Sequence, residues 1–279
     1  MNRVLVTGAA GRLGTAMLAL LAAEGVSVTA FDQAEIGGPA ERKLTGDIAD
    51  PAAVREAVRG CDAVVHLAAI PTPVPGMDEQ VFGTNALGTF TVLNAAGQAG
   101  ITRAVIASSN SIYGHAFSPH DELPHYLPLD ADHPLDIADP YALSKQADEA
   151  TARMVVRRYG MTVVALRYPF LGGFGDRLPE FAARWRAEPA QAASILWAYM
   201  EDRDASRAAW LAVTRPLSGY HMFQVAAPET LVDRPTEELL DEFLPSVPRR
   251  AAFPGRTVPV DLRPATELLG FEAAYLYEG

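Results

Sequence analysis

Tyr141 and Lys145, in Tyr141-Ala142-Leu143-Ser144-Lys145, stand four residues apart and therefore share one face of a helix. A phenol ordinarily ionises near pH 10. An ammonium beside it favours the phenolate, so the two can take and return the proton of a hydroxyl group. Ser109, at the end of a strand-like run, could hydrogen-bond the reacting oxygen. A tyrosine–lysine spacing of this kind is by itself usually an ordinary helix face. Its weight comes from what precedes it in the chain.

What precedes it is Thr7-Gly8-Ala9-Ala10-Gly11-Arg12-Leu13-Gly14, set between the first strand-like run and the first helical pattern. Gly8 permits a tight turn, Gly11 lets the backbone approach a pyrophosphate, and Gly14 allows close helix–strand packing. The helix N-terminus then offers free N–H groups and the positive end of its dipole. The second strand ends at Phe31-Asp32, where a carboxylate accepts hydrogen bonds from the adenosine ribose and repels a 2′-phosphate. That favours NAD over NADP, although Arg12 leaves room for NADP. A purely structural glycine turn and a solvated loop acid are the alternatives, and both fit this context less well. A phenolate at Tyr141 would gain further from the positive nicotinamide of NAD+.

These residues need a frame. Val4–Val6, Val26–Phe31, Ala63–Leu67, Arg103–Ala107 and Thr162–Leu166 read as strands. They alternate with helical patterns over 13–23, from Asp50-Pro51, over about 78–99, and from near Pro140. The alternation predicts an α/β fold, a Rossmann-type doubly wound parallel sheet covered on both faces. After about Arg167 short helical patterns (179–187, 204–213, 236–243, 264–269) alternate with Pro- and Gly-rich loops. Residues 1–167 are therefore expected to form the nucleotide-binding domain, Tyr-Lys helix included. Residues 168–279 are expected to form a smaller, interleaved substrate-binding lobe.

A net charge of -11 disfavours nucleic acid or an anionic membrane as partner. One cysteine, Cys61, allows no intramolecular disulfide framework and no cysteine-based zinc site. Met1-Asn2-Arg3 leads directly into a strand rather than a signal peptide, and no apolar run is long enough to span a bilayer, so a cytoplasmic location is expected. His115, His120, His125 and His133 crowd the loop before Tyr141 with Asp121, Glu122, Asp130 and Asp132. Their irregular spacing favours a polar loop over a metal site, and no metal is expected. His66, at a strand end, is read as packed or hydrogen-bonded. Trp185, Trp197, Tyr199 and Trp210 are read as core rather than a sugar-stacking platform.

Taken in order, these segments resemble the extended short-chain dehydrogenase/reductases of the NAD-dependent epimerase/dehydratase type, over nearly the whole chain. The resemblance implies that Gly8, Gly11 and Gly14 hold the pyrophosphate and Asp32 the ribose of NAD, with Arg12 and Leu13 also among the cofactor-binding residues. It puts Asp47 and Ile48 at the adenine, and Leu67, Ala68 and Ala69 of His66-Leu67-Ala68-Ala69 at the nicotinamide ribose. Asn85 supports the cofactor site and Tyr168 lies near the nicotinamide. Ser109, within Ser108-Ser109-Asn110-Ser111-Ile112-Tyr113-Gly114, joins Tyr141 and Lys145 as the catalytic set. A small-molecule substrate and a homodimer paired through the 78–99 and Tyr141 helices are also implied.

Two departures narrow the expectation. Relatives that dehydrate nucleotide sugars carry Asp-Glu where this chain has Asn110 and Ser111, neither of which is an acid or base at neutral pH. Nucleotide-sugar members usually have Asn where Arg167-Tyr168-Pro169-Phe170 has Phe170. A smaller substrate without a nucleotide is expected, with Thr72, Asn110, Ser111, Phe170 and Arg177 on the substrate side. Uronate dehydrogenases share the Ala107-Ser108-Ser109-Asn110 stretch and bind a carboxylate through an arginine. Arg177 is the candidate for that place, and a surface arginine is the alternative. Net oxidation and epimerisation both remain open, since one triad serves either. A non-catalytic NAD sensor is disfavoured because Ser109, Tyr141 and Lys145 are all kept.

Overall fold

The computed structural model of the protein describes residues 1–120 and 122–278. β1 (Arg3–Thr7) leads through the glycine segment into α1 (Arg12–Ala23), β2 (Ser27–Asp32), β3 (Arg42–Thr45) and α2 (Pro51–Ala57). β4 (Ala63–His66), α3 (Asp78–Gln98), β5 (Arg103–Ser109), α4 (Pro140–Tyr159) and β6 (Thr162–Tyr168) follow. The remainder comprises β7 (Phe170–Gly172), α5 (Arg177–Ala187), β8 (Tyr199–Glu201), α6 (Asp202–Thr214), β9 (Tyr220–Gln224) and α7 (Thr236–Phe243). Seven strands make one sheet in the order β3-β2-β1-β4-β5-β6-β9, every pair parallel, and β7 pairs with β8 separately. The expected doubly wound α/β fold is present.

A parallel sheet buries both faces, which is why its central strands are continuous apolar runs. Val4 and Val6 face Met17, Leu18 and Leu21 of α1 and Ala205, Ala208 and Ala209 of α6. Leu5 and Val64 face Val54 of α2, Val92 and Leu93 of α3, and Ala152 and Val155 of α4. β6 alternates in the same way, Val164 and Leu166 to one side and Val163 and Ala165 to the other. Asp50 caps α2 by accepting from the Ala52 N–H at 2.8 Å, and Asp139 caps α4 through the Ala142 N–H at 2.9 Å. Each is followed by proline at the first helical position, where no N–H is missed.

Beyond Tyr168 the chain contributes to two bodies. α6 and β9 return to the sheet, β9 as its edge strand beside β6. β9 escaped the sequence reading because Tyr220-His221-Met222-Phe223-Gln224 is short and half polar, as suits an edge. The rest of this region builds a second core with the 112–137 loop, uniting Ile112, Leu127 and Leu129 with Leu178, Trp185, Trp197, Tyr199 and Leu240. Trp185, Trp197 and Tyr199 are buried there, while Trp210 packs half-buried from α6 onto the sheet.

One buried ion pair fastens α4 to the sheet. Glu149 of α4 takes a two-point grip from Arg167 of β6, at 2.8 and 3.0 Å. Its carboxylate also accepts from the Ser108 hydroxyl of β5 at 2.8 Å and the Tyr220 hydroxyl of β9 at 3.1 Å. Ser108 and Arg167 are register partners on adjacent strands, so both side chains reach the same helix. Burial opposes the Glu149 charge, but Arg167, Ser108 and Tyr220 together hold its carboxyl below the usual range. Arg167→Leu leaves that carboxylate buried and uncompensated, at a cost of about 3–5 kcal/mol. Arg167→Leu combined with Glu149→Leu should recover most of the loss. Urea unfolding of the three proteins checks this, and additive losses in the double variant would contradict it.

Candidate active site

The strand order reverses between β1 and β4, and the crevice beyond the carboxyl ends of those strands is where doubly wound folds bind ligands. Gly8 turns the chain there with φ +69°, and a Cβ on it would lie 2.6 Å from Ala68 N. A Cβ on Gly14 would lie 2.0 Å from Gly8 O, so α1 can approach the turn only without one. Gly11 differs: its φ is -72°, it is exposed, and a Cβ would meet only Gly8 O at 3.2 Å. The fold itself does not demand glycine at 11, whereas a phosphate approaching the backbone would. α1 begins with no side-chain cap, leaving its first-turn N–H groups to such an anion. Asp32 stands beside this loop, accepting from Ala10 N and Ala34 N at 2.9 Å each with further lone pairs unused. These features fit a dinucleotide.

Asn85 on α3 holds the far wall. It accepts from Ile70 N at 2.7 Å, donates to Ile70 O at 3.0 Å, and donates to Ser144 Oγ of α4 at 2.9 Å. The 67–70 turn is thereby tied to the helix that carries Tyr141 and Lys145. Leu67 N also donates to Thr7 O at 3.2 Å. Ile48 packs against Gly88 of α3, where a Cβ would meet its Cδ1 at 2.2 Å, and Asp47 accepts from Ala49 N at 2.8 Å.

Tyr141 occupies the first turn of α4 and Lys145 the next, its Nζ 5.6 Å from the Tyr141 ring centre. Lys145 is buried and donates to Ala107 O of β5 at 3.0 Å and to Asp148 Oδ2 at 3.1 Å. Burial works against its charge, but Asp148 and Tyr141 overcome that and raise its pKa. Two residues along β5 from Ala107, Ser109 ends the strand, its Oγ 3.0 Å from Ser111 Oγ and accepting from Ser111 N at 3.1 Å. The Phe117 and Tyr141 rings meet edge to face, their centres 6.0 Å apart.

The other residues singled out from the sequence have surroundings of their own. Arg12 reaches away from the glycine turn to pair with Asp176, and lies 3.6 Å from Asp202. Burial pushes the Asp202 carboxyl up to about 6, with Arg12 opposing. Tyr168 is buried on the α6 side of the sheet, its hydroxyl donating to Ala205 O at 3.0 Å. Thr72 is exposed in the turn after Ile70, and the Asn110 Oδ1 is buried with no hydrogen-bond partner among the described residues. Phe170 packs on Phe181 at 4.6 Å and Trp185 at 5.0 Å. The Arg177 guanidinium lies over Phe170 at 4.6 Å and Phe181 at 5.2 Å. His133 accepts from His125 N at 3.0 Å and stacks edge-on against His115 and Tyr113, while His125 bonds Asp136 at 2.6 Å. Burial pushes His115 down to about 4. Asp121 lies outside the described residues, and among those described no group of three His, Cys, Asp or Glu is arranged for a metal ion.

Residues 4–226 match the model of the NAD dependent epimerase/dehydratase family. The chain belongs to that family. Uronate dehydrogenase of Pseudomonas putida is 36% identical over 169 residues, which is 60% of this chain and 60% of that enzyme. This chain therefore spans about three fifths of that curated relative. A short-chain dehydrogenase/reductase superfamily protein from Agrobacterium tumefaciens, solved with bound NAD, matches with TM-score 0.76 and 27% identity over 99% of this chain and 93% of its own. MoeE5 in complex with UDP-glucuronic acid and NAD matches with TM-score 0.74 and 25% identity over 98% and 94%.

Within this epimerase/dehydratase frame, sequence reasoning missed Asp148, Glu149, Ser144 and Thr89, all of them buried. Acids three and four residues after a helical lysine are a readable signal of pairing, and it went unused here. If Gly11 is kept open for a phosphate, Gly11→Ala should fold with little loss of stability yet bind NAD at least about tenfold more weakly. Gly14→Ala, by contrast, should be strongly destabilised. Thermal melts and calorimetric titration with NAD check both, and unchanged affinity in Gly11→Ala would refute the role given to that glycine.

Proposed function

We propose that this chain is an NAD-dependent oxidoreductase acting on a secondary alcohol or ketone of a small, polar, sugar-like substrate without a nucleotide. The observation that carries the proposal is the Tyr141–Lys145 pair, one helical turn apart and tied to the same crevice as the Gly8–Gly14 turn. Gly8, Gly11, Leu13 and Gly14 would hold the pyrophosphate, with Asp32 at the adenosine ribose and Asp47 and Ile48 at the adenine. Leu67, Ala68, Ala69, Tyr141 and Lys145 would face the nicotinamide half. Bound NAD+ supplies the acceptor for the hydride that leaves the carbinol carbon. The chain's own residues handle the proton: Ser109 positions the substrate oxygen, Tyr141 accepts the hydroxyl proton, and the Lys145 charge favours that acceptance. Asp32 makes NAD the preferred nucleotide.

The residue at the place of the usual amide, Phe170, is packed among aromatics, which leaves a diphosphate one partner short. MoeE5, solved with a nucleotide sugar, is therefore a guide to the fold rather than to this substrate. Arg177, a cation held over two aromatic rings, suits a single carboxylate, in keeping with the uronate dehydrogenase likeness. The body built by 168–201, 225–262 and the 112–137 loop would cover the substrate. Asn110 and Ser111 cannot serve as the acid and base of a dehydratase. Epimerisation stays the second reading, because the same Tyr141 and Lys145 can remove and return one proton. A cytoplasmic setting accords with the single free Cys61. Among the described residues no helix is long and apolar enough to cross a membrane.

Uronic acids, free sugars and nucleotide sugars, each incubated with NAD and followed for NADH and for epimer, test this reading. NADH accumulation with a uronic acid or free sugar is expected, and Tyr141→Phe should lower turnover by about two to four orders of magnitude with NAD affinity little changed. Selective turnover of a nucleotide sugar, or near-normal activity of Tyr141→Phe, would refute it. We further propose a homodimer joined through α3 and α4, whose Phe82, Leu87, Phe90 and Leu143 are 37, 52, 42 and 45% exposed. Light scattering should give twice the chain mass at micromolar concentration and a single mass for Phe90→Glu. A monomer before mutation would reject the dimer.

A further inference from the structure

Of the 23 basic side chains only Lys43 and Lys145 are lysines; the others are arginines. Lys43 is exposed, so the one buried lysine is the residue placed beside Tyr141. Three N–H bonds radiate from an ammonium. At Lys145 one goes to Ala107 O at 3.0 Å and one to Asp148 Oδ2 at 3.1 Å, leaving a single donor for the crevice. The side chains of Lys145 and Asp148 are 4 and 2% exposed, so neither charge is screened by water.

Asp148 is unlike its neighbour Glu149. Glu149 receives hydrogen bonds from three strands and so has an architectural reason for burial. Among the described residues the Asp148 carboxylate makes one hydrogen bond, to Lys145, and its Oδ1 has none. A carboxylate buried on those terms is costly unless its charge is needed where it stands.

The groups behind Asp148 form a directed chain. Thr7 Oγ1 accepts from Leu67 N at 3.3 Å and Ala68 N at 3.4 Å, leaving its own proton for His66 Nδ1 at 2.7 Å. His66 then carries its proton on Nε2 and donates to Thr89 Oγ1 at 3.0 Å. Burial, and next the charge of Lys145, push His66 down to about 3, so the ring stays neutral. The Thr89 hydroxyl proton is thereby left free on the Asp148 side; burial pushes the Asp148 carboxyl up, and Lys145 and then Thr89 oppose that rise. Thr7 ends β1 at the glycine turn, so the chain runs from the nucleotide cradle to the lysine.

We infer that Asp148 is a positioning residue of the reaction: backed by the Thr7–His66–Thr89 chain, it takes one donor of the Lys145 ammonium and fixes that ammonium beside Tyr141. This rests on the reading of Tyr141 and Lys145 as the acid–base pair. The charged and titratable groups facing Lys145 are Asp148, Glu149 and Tyr141 from α4 and His66 from β4. Asp148 is the strongest of those favouring the ammonium.

With two lysines, protein labelled with 13C at the lysine ε carbon gives two NMR signals, and the exposed Lys43 serves as internal reference. In Asp148→Asn the Lys145 signal should reach half-titration at least about one pH unit below its position in the unmutated protein, with Lys43 unmoved. Thr89→Val keeps both charges and should move the signal the same way by less. At neutral pH kcat of Asp148→Asn should fall about ten- to a hundredfold while KM for the sugar changes little. An unmoved Lys145 titration in the folded variants overturns the inference, as does a moved titration with kcat intact. The titration needs no substrate, so it separates a failure here from a failure of the oxidoreductase reading.

Discussion

The two-point ion pair between Arg167 and Glu149 is the constraint from which the rest of the site hangs. β5, β6, β9 and α4 meet on one carboxylate; Tyr141 and Lys145 ride on α4 and Ser109 on β5. Arg167 also donates to the Tyr113 hydroxyl at 2.9 Å, and Tyr113 passes the connection to Asp130 O at 2.8 Å. The same guanidinium thus reaches from the sheet into the 112–137 loop that helps build the second core. Such a pair adds little net stability compared with apolar residues of equal volume, and its value lies in fixing one arrangement. Here the arrangement sets α4 at the height where Lys145 meets Ala107 O, two residues before the end of β5.

A second tie works from the other side. Asn85 uses both ends of its amide to join the 67–70 turn to α4, and Gly8 lets that turn close over the end of β1. The glycine turn and the Tyr141 helix are therefore joined through the 67–70 turn and Asn85. Pre-set geometry of this kind is what converts a proton-transfer group into an effective one.

How much of this was legible depended on distance along the chain. The glycine turn, Asp32 at the end of β2, and the Asp50-Pro51 and Asp139-Pro140 helix starts are local, so spacing and residue type were enough to find them. Tyr141 and Lys145 were found because a helix repeats every four residues or so. The Glu149 hub was not, because its partners lie 18 and 71 residues away and nothing in the sequence shows that β9 comes back beside β6. Arg12 is the opposite case: it lies in the glycine turn, yet its side chain pairs with Asp176, 164 residues on, a contact only the packed lobe creates.

The central claim is that the cradle at the β1–β4 crevice and the Tyr141–Lys145 pair form a single nucleotide-dependent site. A crystal structure of the chain soaked with NAD tests it most directly. The account predicts the pyrophosphate on the N–H groups that open α1, the adenosine ribose on Asp32, and the nicotinamide between the 67–69 turn and Tyr141. NAD bound elsewhere, or bound with its adenine beside Tyr141, would contradict it.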